Sequence, residues 1–392
     1  MNRPRLRVAD VFKAHWQEYD RTLRIAPQQA RAVRHILSCR TAQLGGHLYR
    51  CEECGSEVPV YNSCLDRHCP TCQTAKKQEW LEARQGELLP VQYFHTVFTL
   101  PHHQLNRLVN ANRELLLNEL FAVAAWVLQS FAADPQWRLE GLMGFIAVLH
   151  TWNQLISEHF HLHCIVPGGV WREDSKEWIH CRRNFLFGKQ PLADAFRNRY
   201  CKRLKALRRQ GKLFFTGPAA ELAEQSQWDK FIAELENIRW SVWPKPTAVG
   251  PAQALDYLGR YTYRVAISDY RILKLENGRV TFSWRDRSDA NKLKTRELPA
   301  QEFIKRFLYH ILPRGFQKIR YYGWLSPRKK KKLLPLIRQA LNASEPPPPM
   351  KETTAERILR LTGVDIRKCP HCNKPALVYV ADIPPTQSRA PP

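Results

Sequence analysis

The sequence predicts an α+β protein with a cysteine-rich module near its start and a basic, helical region toward its end. Three observations carry this reading. Short apolar runs of strand length alternate with long stretches of helical periodicity. Cysteine and histidine crowd into residues 39–73. The chain of 392 residues holds 61 Lys and Arg against 36 Asp and Glu, a formal charge of +25. That excess points to a polyanionic partner, nucleic acid first. With 12 Trp, 13 Tyr and 17 Phe the chain can fill a real core, which excludes a disordered basic tail.

Residues 1–38 form an N-terminal helical segment, with Val8, Phe12, Trp16, Ala32, Val33, Ile36 and Leu37 at helical spacing. A metal-binding domain follows at 39–76, then a polar connecting helix at 74–90. A main domain is placed at 91–270, with a basic insert at 170–240. Its elements are strands at 92–99, 144–150 and 160–166, a long apolar helix at 103–132, and a basic amphipathic helix at 191–210. Short strands are expected at 213–216 and 239–243, and a helix at 251–264. A basic hairpin and helical region covers 271–343, with Asn277-Gly278 as the hairpin turn and helix at 301–342. Residues 344–392 read as a Pro-rich linker (344–350) and a tail that ends in a Pro-rich, disordered stretch. The N-terminus lacks the apolar stretch of a signal peptide and no run approaches the apolar length of a membrane span, so a cytoplasmic, nucleoid-associated protein without membrane contact is expected.

The cysteines should be thiols or metal ligands in that compartment. Cys51-x-x-Cys54 and Cys69-x-x-Cys72, 14 residues apart, have the spacing of a zinc ribbon, and these four thiols make the expected structural Zn²⁺ site. Cys39, His47, Cys64 and His68 remain as ligands for a second zinc. Cys369-Pro-His-Cys372 is half a site: a knuckle completed elsewhere, or a remnant. Cys164, Cys181 and Cys201 read as interior thiols.

Two further motifs carry chemistry. In the run His-Phe-His-Leu-His-Cys-Ile-Val (159–166), His161 and His163 share one face of an apolar strand. Two imidazoles there need a partner, and a divalent metal is one. His150 ends the preceding strand and is the expected third ligand, with Gln154 or His159 as alternatives. Open positions and a phosphate substrate fit Mg²⁺ or Mn²⁺. In Tyr257-Leu-Gly-Arg-Tyr261 the two phenols lie one helical turn apart, placed to attack phosphates in succession. Arg260 and Arg264 beside them, and Arg203 and Arg208 on the basic helix, are the expected DNA phosphate contacts. Trp240 and Trp243 read as core or as base-stacking residues.

Taken together, the runs CRTAQLGGH, CEECG and YNSCLDRHCPTCQ, then VLHTWNQ and HFHLHCIVPGG, then YLGRYTYRVAIS, resemble the two-tyrosine HUH transposases of the insertion sequence 91 family. The resemblance covers about residues 20–325 in the same order. It implies an N-terminal zinc-binding domain and an HUH endonuclease domain, an antiparallel sheet with helices packed on it. It also implies rolling-circle transposition on single-stranded DNA at transposon ends and on target DNA. His161 and His163 match as metal ligands, Tyr257 and Tyr261 as nucleophiles that form a 5′-phosphotyrosine. A rolling-circle replication initiator or relaxase would use the same chemistry. A zinc-dependent DNA-binding regulator would use none, and a hydrolytic nuclease would not need the tyrosines.

Overall fold

The structure is a computed structural model that describes residues 6–22, 25–247, 259, 265–344, 352–363 and 365–386. Two helices, α1 (Val8–Thr22) and α2 (Pro27–Ser38), lead into a hairpin of β1 (Gly46–Cys51) and β2 (Glu57–Tyr61). After α3 (Gln73–Gln85) come β3 (Tyr93–Thr99), α4 (His102–Ala111), α5 (Arg113–Ala133), β4 (Phe145–Trp152) and β5 (Glu158–Pro167). The small hairpin β6 (Gly169–Arg172) and β7 (Glu177–His180) precedes α6 (Lys189–Arg209), α7 (Gln225–Asn237) and β8 (Ser241–Pro246). A three-stranded meander, β9 (Ile272–Glu276), β10 (Arg279–Asp286) and β11 (Lys292–Pro299), runs into α8 (Ala300–Tyr309). The chain continues through β12 (Ile319–Tyr322), α9 (Pro327–Ala340), α10 (Thr354–Thr362) and β13 (Leu377–Ile383).

The central sheet has the order β12-β4-β5-β3-β8, and every neighbouring pair is antiparallel. Side chains alternate between its faces. Phe94, Phe98, Phe145, Leu149, Phe160, Leu162 and Val166 point to one face, where they join buried residues of α4, α5, α6 and α7 in the largest core. The opposite face carries His95, His150, His161 and His163. Its far end, with Tyr93, Ile146, Val148 and Ile165, is covered by Leu81 of α3 and by Leu333 and Ile337 of α9. A third core joins α1 and α2 to β10 and α8.

Most expected strands and the α6 stripe of Leu192, Phe196, Tyr200, Leu204 and Leu207 are present, the stripe fully buried. Several expectations need correction. The 103–132 helix breaks at Asn112, whose side chain bonds Leu108 O and both backbone groups of Phe214. The strand at 213–216 is absent, and α7 follows instead. The 301–342 region is two helices separated by β12, which completes the central sheet beside β4, so no boundary at 270 separates the two regions. Nor is 170–240 an insert: α6 and α7 cover the sheet. The tail holds α10, started by a capping box of Thr353 and Glu356, and β13, which pairs with β1. Residues 251–258 and 260–264, where the tyrosine helix is expected, lie outside the described residues.

One run does reach spanning length. The 21 residues of α5 are apolar enough to cross a membrane. Its Leu116, Leu117, Leu120, Phe121, Val127 and Leu128 are buried in the main core, so in this fold it is a core helix.

Two glycines make room where β12 ends. A Cβ on Gly144 would enter the Trp324 ring at 2.4 Å, and one on Gly323, at φ +59°, would meet Met143 O at 1.6 Å. Backbone has to move in the second case, because the left-handed conformation and the contact both oppose a side chain. Gly323→Ala is expected to destabilise the protein by about 2–4 kcal/mol, read as a lower thermal midpoint. A midpoint at the wild-type value would contradict this packing.

Candidate functional site

The histidine site is set by register. Between β4 and β5, His150 lies opposite His161 and Val148 opposite His163; between β3 and β5, Val97 lies opposite His163. One face of three adjacent strands therefore gathers the imidazoles. Ligand nitrogens of His150, His161 and His163 all lie within 4.8 Å of one another, and all three residues are buried. His159 and Gln154 flank the cluster without displacing His150: His159 supplies its carbonyl to His161 Nδ1 at 2.8 Å, and Gln154 sits in the turn after β4.

That bond fixes His161 as the Nδ1–H tautomer and leaves its Nε2 as the nitrogen that could bind a metal. His163 makes the equivalent bond to a residue that sequence reasoning missed. Its Nδ1 lies 2.7 Å from Nε2 of His95, and the two rings are parallel within 6°. A ligating imidazole commonly hands its second ring N–H to an outer partner that sets its orientation, and the position of His95 on β3 suits such a partner. The available signal was a lone His in the apolar run QYFHTVFT, next to the strand of the His pair.

Burial is the first cause that holds these rings neutral. It depresses His95 and His161 to about 3 and His159 to about 4, and takes His163 well below its ordinary value. Neighbouring charge adds to this, and Arg287 contributes to all four. Arg287 sits on the turn between β10 and β11 and is exposed; it is a second residue that the sequence did not single out. Neutral imidazole is the metal-binding form, so the donor set fits a divalent ion.

The cysteines form two groups of four, partitioned differently from the expected ribbon. Cys39, Cys64, Cys69 and Cys72 make one, and Cys51, Cys54, Cys369 and Cys372 the other. The structure thus does not bring Cys51 and Cys54 to Cys69 and Cys72. Sulfur–sulfur distances are 3.8 Å for Cys64–Cys72, 3.6 Å for Cys51–Cys372 and 3.7 Å for Cys54–Cys369. Four thiolates around zinc at about 2.3 Å have a tetrahedral edge of about 3.8 Å, whereas a disulfide needs about 2.05 Å. Both donor sets therefore fit zinc.

His47 and His68 are not ligands here. His47 Nδ1 pairs with Asp382 at 2.8 Å. His68 holds Asp66 through Nδ1 at 3.1 Å and accepts from the Leu312 N–H at Nε2, 3.2 Å away, which joins the cysteine module to the segment after α8. The inner cysteine group is wedged between helices: Cys39 caps the C-terminus of α2 and Cys72 the N-terminus of α3.

Two of the four expected phosphate contacts are occupied internally. Arg203 makes a two-pronged bond to Glu119 of α5, at 2.8 and 2.6 Å. Arg208 donates to Leu222 O and Ala223 O and covers the Trp228 ring at 4.7 Å. Charge alone could not tell these from solvated groups. Arg260, Arg264, Tyr257 and Tyr261 lie outside the described residues. Cys164 and Cys201 are buried as expected and Cys181 is partly so. Of the two tryptophans, Trp240 is core, with Nε1 bonded to Leu235 O. Trp243 is 51% exposed. It lies opposite Val97, and so on the face of His163, with Lys189 Nζ 3.6 Å from its ring centre.

Known proteins resemble this chain throughout. Residues 144–332 match a family model described as "Putative transposase", and residues 11–100 one described as "Transposase zinc-binding domain". The chain is 40% identical over 377 residues to "Putative transposase y4qJ" of Sinorhizobium fredii, covering 95% of this chain and 94% of the relative. It is 28% identical over 372 residues to "Transposase for insertion sequence element IS801" of Pseudomonas savastanoi pv. phaseolicola, covering 91% and 84%. No solved structure matches it significantly.

Proposed function

Because the chain belongs to the insertion sequence 91 family of transposases, we propose that it cuts and joins DNA strands by the rolling-circle route, with tyrosine as nucleophile. The observation that supports this most is the cluster of three buried imidazoles on one sheet face, within a chain whose family acts on DNA. The five-stranded antiparallel sheet with helices on its other face is the layout an HUH endonuclease requires, and we assign the chain to that fold.

In this reading His150, His161 and His163 would hold Mg²⁺ or Mn²⁺, which would supply charge withdrawal at the scissile phosphate. His95 orients His163. The phenol oxygen of Tyr257 or Tyr261 attacks the phosphorus of single-stranded DNA at an element end. The P–O3′ bond breaks, the phenol proton leaves to solvent or a base, and the products are a 5′-phosphotyrosine and a free 3′-OH. The ester keeps the phosphodiester energy, so a strand hydroxyl can later take the phosphate back. The second tyrosine serves the far end or the target. Arg260 and Arg264, beside the tyrosines in sequence, and Arg287, whose charge acts on the histidines, are suited to phosphate oxygens.

The test mixes the purified protein with labelled single-stranded DNA from its element's ends, with Mn²⁺, and reads the products on a denaturing gel. A covalent protein–DNA band is expected that disappears in the Tyr257→Phe/Tyr261→Phe double variant. Cleavage that survives in that variant would make the protein a hydrolytic nuclease. Binding without cleavage would make it a regulator.

Trp243 gives the single strand a place to stack. One base–aromatic contact contributes about 1–3 kcal/mol, so Trp243→Ala should weaken single-strand affinity about tenfold and spare duplex affinity, both measured by fluorescence anisotropy. Equal losses on both substrates would remove Trp243 from the DNA track.

A further inference from the structure

We propose that Cys51, Cys54, Cys369 and Cys372 hold a second zinc ion, and that this ion fastens the C-terminal segment to the N-terminal module. The zinc-binding family model ends at residue 100, far short of Cys369.

The two halves have the same local build. At the first, the Cys51 N–H donates to Ser56 O at 3.0 Å and the Gly55 N–H to Cys51 O at 2.8 Å. At the second, the Cys369 N–H donates to Lys374 O at 2.8 Å and the Asn373 N–H to Cys369 O at 2.8 Å. The offsets are the same, four and five residues after the first cysteine. In both, the residue after the second cysteine is left-handed: Gly55 at φ +71° and Asn373 at φ +61°. Gly and Asn are the residues that tolerate this conformation. A turn of this kind points two thiolates at one spot, and the His371 N–H lies 3.4 Å from Cys369 Sγ, where it offsets thiolate charge.

The surroundings are built to match. β13 pairs with β1 in register from Gly46–Ile383 to Cys51–Leu377, with one bulge, so the two knuckles close one end of the three-stranded sheet β13-β1-β2. The Glu52 N–H donates to Ala376 O at 2.9 Å, and Lys374 Nζ meets Glu53 at 2.6 Å across the two halves. Cys51 and Cys369 are fully buried although the strands around them are largely exposed. Two buried thiols at the open end of a small sheet have little apolar surface to hold them. A tetrahedral thiolate site supplies the missing cohesion. Zinc rather than calcium or magnesium is the fitting class, because all four donors are soft sulfur.

The experiment is elemental analysis of the full-length protein by plasma mass spectrometry, with limited proteolysis in the Pro-rich 344–350 sequence as a second readout. Two zinc ions per chain are expected in the wild type and one in Cys369→Ser/Cys372→Ser, which leaves Cys39, Cys64, Cys69 and Cys72 intact. Cys372→His, which keeps four ligands, should restore the second ion. After cleavage of the linker, the C-terminal fragment should co-elute with the rest of the wild-type chain on gel filtration and separate in the double serine variant. One zinc in the wild type, two in the double serine variant, or iron in place of zinc would overturn the site. A fragment that stays bound without the ion would overturn the fastening.

Discussion

Replacing His163 by alanine is expected to lower metal-dependent nicking by about a thousandfold, the loss of roughly 4 kcal/mol of transition-state stabilisation, while DNA binding stays at its wild-type salt dependence. The effect should be this large because His163 sits between two other imidazoles. Its ring centre is 4.4 Å from that of His150 and 4.8 Å from that of His161, so its loss removes the middle of the donor set. His95→Phe tests the outer partner. It keeps ring volume and removes the bond to His163 Nδ1, so the ligand loses its orientation and not its nitrogen. Metal affinity should fall about 10–100-fold, with the Mn²⁺ concentration for half-maximal rate rising and the rate recovering at saturating Mn²⁺. A fall in rate that saturating metal leaves unchanged would assign His95 a role in packing alone. Circular-dichroism melts of both variants separate loss of ligand from loss of fold.

Stripping the inner cysteine group should have the largest effect on stability. Cys39, Cys69 and Cys72 are buried in the same core as Val8, Phe12, Val33, Phe282, Phe303 and Ile304. Zinc there joins the end of α2 to the start of α3, and that core ties α1 and α2 to β10 and α8. Structural zinc sites in small domains contribute about 10–16 kcal/mol on binding at neutral pH, more than the net stability of most domains. Cys69→Ser/Cys72→Ser is therefore expected to unfold the N-terminal helices and to abolish DNA cleavage. Rapid amide exchange across 8–38 and along α8 would report it. Cys54→Ser, at an exposed position of the outer group, should leave that exchange pattern unchanged. Full protection of α1 and α2 in the Cys69/Cys72 variant would show that apolar packing alone sustains this core.

The parts of the fold that the sequence made legible are those whose signal is local. Alternation put His161 and His163 on one face, and the 3.6-residue period picked out the buried stripe of α6. Asn277-Gly278 marked the β9–β10 turn, where both residues take positive φ. What stayed hidden depends on distant partners. Two C-x-x-C pairs 14 residues apart satisfy a zinc ribbon on spacing alone, yet Cys369 and Cys372 compete for the first pair, and only the β1–β13 register decides between them. Four residues, Ile319–Tyr322, complete the sheet and are too few to show a period inside a basic helical stretch. The segment after the prolines at 346–349 is assigned no element from sequence, although Thr353-x-x-Glu356 and the apolar run of β13 are there to be read. Arg203 and Arg208 show the limit of charge counting, because a guanidinium paired with Glu119 or with helix carbonyls looks in sequence like one facing DNA.

The pairing of β1 with β13 also orders events during synthesis. β2 can pair with β1 within a few residues, but the opposite edge of β1 waits for residues 377–383, roughly 330 positions later. At about 5–20 residues per second that is about 15 to 65 s, during which the ribosome holds a nascent chain with an open strand edge and two unpartnered thiols at Cys51 and Cys54. Exposed edges invite pairing with other chains. A message cut short anywhere before the codon for Leu377 would leave that edge open for the life of the product. The sheet that begins at Gly46 is thus closed only once the chain has been translated through Ile383.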